Sequence, residues 1–282
     1  MQQERSILIT GCSSGIGHRC AHGLHERGWR VIASARRPED VERLHSEGLN
    51  AVQLDLAEPG SIADGLQAAL AFTDGRLDAL FNNGAFGIPG AVEDLTREAL
   101  RAQFETNLFG SHDLTRRVIP VMRAQGQGRI IQNSSVLGFV ALPFRGAYVA
   151  SKFALEGLTD TLRLELRGSG IRVSLIEPGP ISSRFRDNAY SAYQRFIEPD
   201  RSPHRQTYRL MEERLKTEGP TQPFTLTPDA VLRKLTHALE HPRPRARYRV
   251  TFPTHLLALV QRLLSTNGMD WVLRRASRGG RG

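Results

Sequence analysis

Lysine is almost missing from this chain: Lys152, Lys216 and Lys234 are three among 282 residues, and the other thirty-five basic residues are arginine. Cysteine is scarcer still. Cys12 and Cys20 lie eight apart with no Cys-x-x-Cys or Cys/His spacing, which excludes a disulfide framework and offers no metal-ligand set. No apolar run approaches the ~18 to 20 residues that span a bilayer. The N-terminus enters a short apolar strand without a signal-peptide core, so a reduced, cytoplasmic setting is expected. With 40% apolar and 24% charged residues, a disordered or collagen-like chain is excluded as well.

Acidic charge is thin toward the C-terminus. The chain has a formal charge of +9, and residues 241–282 hold nine arginines against the single acid Asp270. Everything before them is nearly neutral. Scattered, solvated arginines account for such a tail without nucleic acid; no nucleic-acid partner is expected, and a peripheral membrane contact stays open.

Short apolar runs at 6–10, 30–34, 51–54, 77–81, 129–133 and 172–176 read as strands. Between them, 16–27, 62–72, 97–123 and 148–167 repeat Leu, Ala and Val at spacings of three and four, the helical period. That alternation predicts an α/β fold, a Rossmann-like doubly wound parallel sheet with helices on both faces. Residues 181–228 offer no clear strand and read as an irregular lid. A helix at 229–239, a last strand at 247–252 and an apolar helix at 255–264 follow. No linker divides the chain, so a single domain is expected: a cofactor-binding and catalytic core at 5–180, a substrate lid at 181–228, and C-terminal helices, last strand and basic tail at 229–282.

The first strand runs directly into Thr10-Gly11-Cys12-Ser13-Ser14-Gly15-Ile16-Gly17. Gly11 permits a tight turn, Gly15 lets the backbone approach a pyrophosphate, and Gly17 lets the helix pack on the strand; the helix start offers free amides to an anion. Ser13, Ser14 and Ile16 complete this cofactor turn. The second strand ends Ala33-Ser34-Ala35-Arg36-Arg37, where an NAD-binding chain carries an acid for the ribose 2'-hydroxyl. Two guanidinium groups in that place suit a 2'-phosphate, giving about 10- to 100-fold preference for NADP(H). Asp55 with its neighbour Leu56, after the third strand, is placed to meet the adenine; Asp55 serves equally as a helix N-cap.

Tyr148 and Lys152 stand four apart in a helical segment, so both project from one face. Five tyrosines and three lysines would give that spacing by chance only about 0.05 times. A phenol, ordinarily of pKa ~10, needs a nearby ammonium to work as acid or base at neutral pH. Ser135, thirteen residues upstream at a strand end, could polarise a substrate carbonyl beside them.

These features, with Asn82-Asn83-Gly84-Ala85, Asn107 and Pro178-Gly179 in the same order, make the chain similar to the NADP-dependent short-chain dehydrogenase/reductase family, and its turn to the steroid and retinoid dehydrogenases within it. The resemblance covers residues 10–179. It implies a tetrad: Tyr148 the general acid or base, Ser135 orienting the carbonyl, Lys152 lowering the tyrosine pKa and holding the nicotinamide ribose, and Asn107 holding a water that relays protons to Lys152. Asn83, Gly84 and Ala85 would border the cofactor, as would Pro178, Gly179 and Ile181 beside the nicotinamide. The family usually reads Asn-Asn-Ala-Gly where this chain has Gly84-Ala85, so Ala85 would be strained if its position needs a positive φ. Ser182 or Ser183 would replace the threonine that binds the carboxamide.

On the substrate side, Phe86, Val136, Leu137, Phe139, Leu142, Pro143 and Phe144, with Phe185, Tyr190, Tyr193, Phe196, Tyr208 and Met211 of the lid, form an apolar candidate lining. The lid arginines Arg184, Arg186, Arg195 and Arg201 could meet an acidic group. The expected activity is NADP(H)-dependent hydride transfer between a hydrophobic ketone or aldehyde and its alcohol; the alternative is an NADP-sensing regulator without turnover. By resemblance, the long helices pair subunits into a homodimer or homotetramer.

Overall fold

A computed structural model describes residues 4–217, 219 and 223–278, the side chains of 276–278 excepted. Seven strands, β1 (Ser6–Ile9), β2 (Arg30–Ala35), β3 (Asn50–Gln53), β4 (Ala79–Asn82), β5 (Gly128–Asn133), β6 (Ile171–Glu177) and β7 (Arg247–Arg249), form one parallel sheet in the order β3-β2-β1-β4-β5-β6-β7. Each of the seven expected strands is present to within three residues. The chain leaves β1 toward β2 on one side and returns to β4 on the other, and this reversal opens a crevice at the strands' carboxyl ends.

The helices are α1 (Gly15–His25), α2 (Pro38–Ser46), α3 (Pro59–Ala71), α4 (Arg97–Phe104), α5 (Ser111–Gln125), α6 (Gly146–Glu165), α7 (Phe185–Phe196), α8 (Arg205–Lys216), α9 (Asp229–Glu240), α10 (Phe252–Leu263) and α11 (Thr266–Arg278). Side chains alternate across the sheet. Ile7 and Ile9 join Leu24 of α1 and Val231 and Leu235 of α9 in one core, while Leu8 joins Ile62 of α3 and Leu114 and Val118 of α5 in the other. Two buried faces explain why the strands read as continuous apolar runs. Cys12 and Cys20 are free thiols in the first core, and burial pushes both pKa values up.

Three expectations need correction. The helix at 97–123 is not continuous: a π-helical turn, Glu105–Gly110, separates α4 from α5. Gly110 sits so close to β3's exit that a Cβ there would lie 1.8 Å from the Leu56 carbonyl oxygen, so the helix passes only where there is no side chain. Second, 181–228 is not irregular. It contains α7 and α8, and Tyr208 of α8, fully buried, accepts from the Ala91 amide at 2.9 Å and donates to Asp94 at 2.5 Å. At its base, Ser182 N–H donates to Leu226 O and Leu226 N–H to Pro180 O. Third, α2 and α11 occupy segments in which no helix was expected.

The basic C-terminal segment is also partly structural. Arg247 of β7 pairs with Glu156 and Asp160 of α6 and with Glu177 of β6, and Arg249 lies 3.3 Å from Glu177. Glu177 is 1% exposed, so Arg247 and Arg249 lie against a buried acid of this chain.

Candidate active site

Two loops press together where β1 and β4 end. Gly11 has φ +71°, and a Cβ on it would lie 2.7 Å from the Gly84 Cα. Thr10 fastens the pair: its hydroxyl accepts from the Asn83 and Gly84 amides, both at 2.9 Å, while the Asn83 side chain donates to the Thr10 and Gly11 carbonyls at 2.9 and 3.2 Å. Gly15 has φ +59°, and Gly17 packs where any Cβ would meet the Gly11 carbonyl at 2.3 Å. Each glycine therefore meets a separate steric demand. Ala85 has no positive φ among the described residues, so the Gly84-Ala85 order is free of the backbone strain expected at Ala85.

The catalytic candidates come from β5 and α6. Asn133 closes β5 and donates to the Asn83 side-chain oxygen at 2.9 Å, while its main-chain carbonyl accepts from Lys152 Nζ at 2.8 Å. Tyr148 lies one turn before Lys152, whose Nζ is 5.7 Å from the centre of the Tyr148 ring. Ser135 neighbours Tyr148 closely enough to act on its hydroxyl, and Ser135 Oγ accepts from the Leu137 amide at 3.1 Å. Ser135, Tyr148 and Lys152 line one cleft.

Burial decides their protonation. It pushes the Tyr148 phenol up to about 12, with the Ser135 hydrogen bond acting in the opposite sense. It pushes the Lys152 ammonium down to about 8, against the attraction of Glu156. The lowering of Tyr148 that the resemblance implies is not the balance struck by these residues alone: desolvation outweighs the effect of Ser135.

Asn107 sits in the π turn, buried and directed elsewhere. Its side-chain oxygen accepts from the Phe86 amide at 3.1 Å, and its nitrogen donates to Phe86 O at 2.9 Å and to Ser151 Oγ at 3.1 Å. The amide thus holds the loop after β4 against α6 and is fully engaged.

A cleft of about 420 Å³ joins these parts. Of the expected residues it is lined by Gly11, Ser13, Ser14, Gly15, Ile16, Asn83, Gly84, Ala85, Ser135, Tyr148, Lys152, Pro178, Gly179 and Ile181. Gly17, Leu56 and Asn107 lie behind it. Arg36 and Arg37 are exposed just beyond β2, and the Asp55 carboxylate accepts from the Ala57 amide at 3.0 Å, closing a local turn; the N-cap position of α3 is Glu58, not Asp55. Arg43 was not foreseen: it donates to the Ser13 carbonyl at 2.7 Å from α2.

On the substrate side, Val136, Leu137, Leu142, Phe185 and Met211 line the cleft. Phe185 stands edge-on to Tyr148 at 5.3 Å. Tyr193 and Tyr208 instead belong to a separate core under the lid, against which Phe86, Phe144, Tyr190 and Phe196 pack. Phe139 and Pro143 lie outside the lining, as do Arg195 and Arg201. Arg145, Arg214 and Ile88 line it and were missed. No helix among the described residues is long and apolar enough to cross a membrane.

Comparison with known proteins places the chain among its relatives. Residues 5–194 match the sequence profile of the short chain dehydrogenase family. The uncharacterized oxidoreductase YbbO of Escherichia coli (strain K12) is 43% identical over 271 residues, 96% of this chain and 94% of that protein. Human 17-beta-hydroxysteroid dehydrogenase type 1 is 31% identical over 278 residues, covering 94% of this chain and 83% of its own. Among solved structures, a short-chain dehydrogenase from Streptomyces avermitilis has a TM-score of 0.75 at 27% identity over 99% of both chains.

Proposed function

The chain belongs to the short chain dehydrogenase family, and from that premise we propose that it is an NADP(H)-dependent oxidoreductase interconverting a hydrophobic ketone or aldehyde and its alcohol. The observation that carries this reading is the single cleft in which Ser135, Tyr148 and Lys152 face a glycine turn.

The residues fit a dinucleotide. The left-handed backbone at Gly11 and Gly15 turns the chain into α1, whose first amides have no partner within the helix and favour an anion. Gly11, Ser13, Ser14, Gly15 and Ile16 would hold the pyrophosphate, Arg36 and Arg37 the 2'-phosphate, and Asp55 and Leu56 the adenine. Asn83, Gly84, Ala85, Pro178, Gly179 and Ile181 would border the remainder, with Lys152 on the nicotinamide ribose. When bound, such a cofactor gives hydride to a carbonyl carbon or takes it from an alcohol.

The chain's own residues handle the oxygen. Ser135 donates to the substrate carbonyl and fixes its direction. Tyr148, protonated at neutral pH because burial raises its pKa, gives its proton to that oxygen in reduction and recovers one in oxidation. The Lys152 ammonium stabilises the phenolate left behind. With the Asn107 amide committed to Phe86 and Ser151, holding the water that relays protons to Lys152 falls to its main-chain carbonyl, which accepts a hydrogen bond from that water.

The apolar lining supports a hydrophobic substrate, as does similarity to a protein named for a hydroxysteroid. Residues 181–228 act as the lid through α7 and α8. Exposed Phe109, Phe153, Leu158 and Leu164 supply an apolar face through which two or four copies associate, and the free, buried thiols suit a cytoplasmic setting. The test is consumption of NADPH by the purified protein with aldehydes, ketones, steroids and quinones. Consumption with apolar carbonyls is expected; NADPH binding with no consumption across the panel would overturn the enzymatic reading.

A further inference from the structure

The described lining of the cleft contains no aspartate or glutamate, yet it holds Lys152 and four arginines. Arg184 and Arg186 stand beside Ser183, which abuts Gly15 and therefore the cofactor end. Arg145 is differently placed. It immediately precedes α6, three residues before Tyr148, and shares the substrate end with Met211 of α8.

Its polar contacts are poor for a part-buried cation. A guanidinium has five N–H donors, but among the described residues only Nη1 of Arg145 is engaged, to the Phe144 carbonyl at 3.1 Å and to Met211 Sδ at 3.6 Å. Neither carries charge, and no carboxylate pairs with Arg145 among the described residues. Burial presses its pKa down to about 10, and the nearby charge of Arg214 pushes the same way, so it is still a cation at neutral pH. Arg43 is matched to Asp40 and Glu47, and Arg247 to Glu156, Asp160 and Glu177; Arg129, outside the cleft, donates to the His241 carbonyl and, like Arg145, has no carboxylate partner among the described residues. A buried charge without a counter-ion is costly, and an anion entering the cleft would remove that cost.

We propose that Arg145 is an anion subsite of the active site, holding a carboxylate of the substrate about one helical turn from the carbonyl that Ser135 and Tyr148 engage. Resting on the oxidoreductase reading, this narrows the substrate class to apolar oxo acids. The unengaged edge of the guanidinium offers two parallel N–H groups, the fork that matches a carboxylate, and the apolar side chain of Met211 beside it suits a hydrocarbon spacer.

The test compares 4-oxo-4-phenylbutanoate with its methyl ester in the full chain, by NADPH consumption and by calorimetric binding, in the unmodified protein, Arg145→Gln and Arg145→Lys. The acid is expected to have a KM at least about 10-fold below that of the ester. Arg145→Gln should shrink the preference for the acid over the ester about 10- to 100-fold, the range of charge-assisted hydrogen bonds, and Arg145→Lys should restore part of it. Equal KM values in the unmodified protein, or binding of neither compound, overturn the subsite. A loss of NADPH affinity in Arg145→Gln as large as the loss for the acid also overturns it, since the arginine would then serve the dinucleotide. If the acid binds more tightly than the ester but neither is reduced, the subsite stands and the oxidoreductase reading falls.

Discussion

Lys152 Nζ donates to the main-chain carbonyl of Asn133 at 2.8 Å, and through Asn133 it is connected to the glycine turn. The Asn133 side chain donates to Asn83, and Asn83 to the Thr10 and Gly11 carbonyls. Three side chains, two from strand ends and one from α6, thus fix the distance between the turn and the proton-transfer group. No single loop sets it.

Tyr148→Phe removes only the hydroxyl and leaves the ring against Phe185. General acid-base contributions of about 10²- to 10⁴-fold set the expected loss in kcat, with NADPH affinity, read by fluorescence titration, kept. Undiminished turnover would mean another proton donor.

Lys152 is the group whose titration should be visible. Its ammonium, pushed down to about 8, is intact below that pH and lost above it, whereas Tyr148 keeps its proton to about 12. Reduction rates should therefore fall as pH rises through about 8, and a rate flat to pH 10 would contradict the role of the ammonium. The stability contribution has the opposite sign: between about 8 and the ordinary lysine value of ~10.4, the unfolded chain binds more protons, so stability from this group rises with pH.

Cofactor choice is tested at the end of β2. Ala35→Asp combined with Arg36→Ala brings in a carboxylate for a ribose hydroxyl and removes one cation. The kcat/KM ratio of NADPH to NADH should fall about 10- to 100-fold; an unchanged ratio would move recognition of the 2'-phosphate elsewhere, with Arg43, bound to the Ser13 carbonyl, next in line.

Arg247→Met should cost about 3–5 kcal/mol, because it leaves Glu177 and Glu156 buried without their shared cation. Burial, with the charge of Glu177 adding to it, holds Glu156 up at about 7. Below that pH Glu156 takes a proton, so the deficit in urea midpoint should be smaller at pH 6 than at pH 8.

What the sequence disclosed was whatever has a short period or a fixed order. Ile7, Leu8 and Ile9 announce a strand buried on both faces, and the glycines announce the turn because each answers one steric demand. Helix α8 gave a weaker signal: Tyr208, Met211 and Leu215 repeat at three and four, but charged residues surround them. Helix α2 buries Leu44 alone. Tyr193 and Tyr208 read as pocket residues because an aromatic in a lid has the same composition whether it faces a cleft or the core beneath. Arg145 was invisible for a related reason: whether an arginine has a counter-ion, and Arg145 has none among the described residues, is a property of the folded neighbourhood, not of its flanking residues.

The tie between β7 and the interior also bears on how the chain comes off the ribosome. Glu156 and Glu177 are synthesised long before Arg247, their counter-ion. Until that arginine emerges, the far side of the sheet can close only around uncompensated acids or protonated ones. The catalytic segment and its last edge strand are therefore bound to mature together, and a nascent chain halted short of Arg247 is expected to be held open and protease-sensitive even though every residue of the tetrad has already been made.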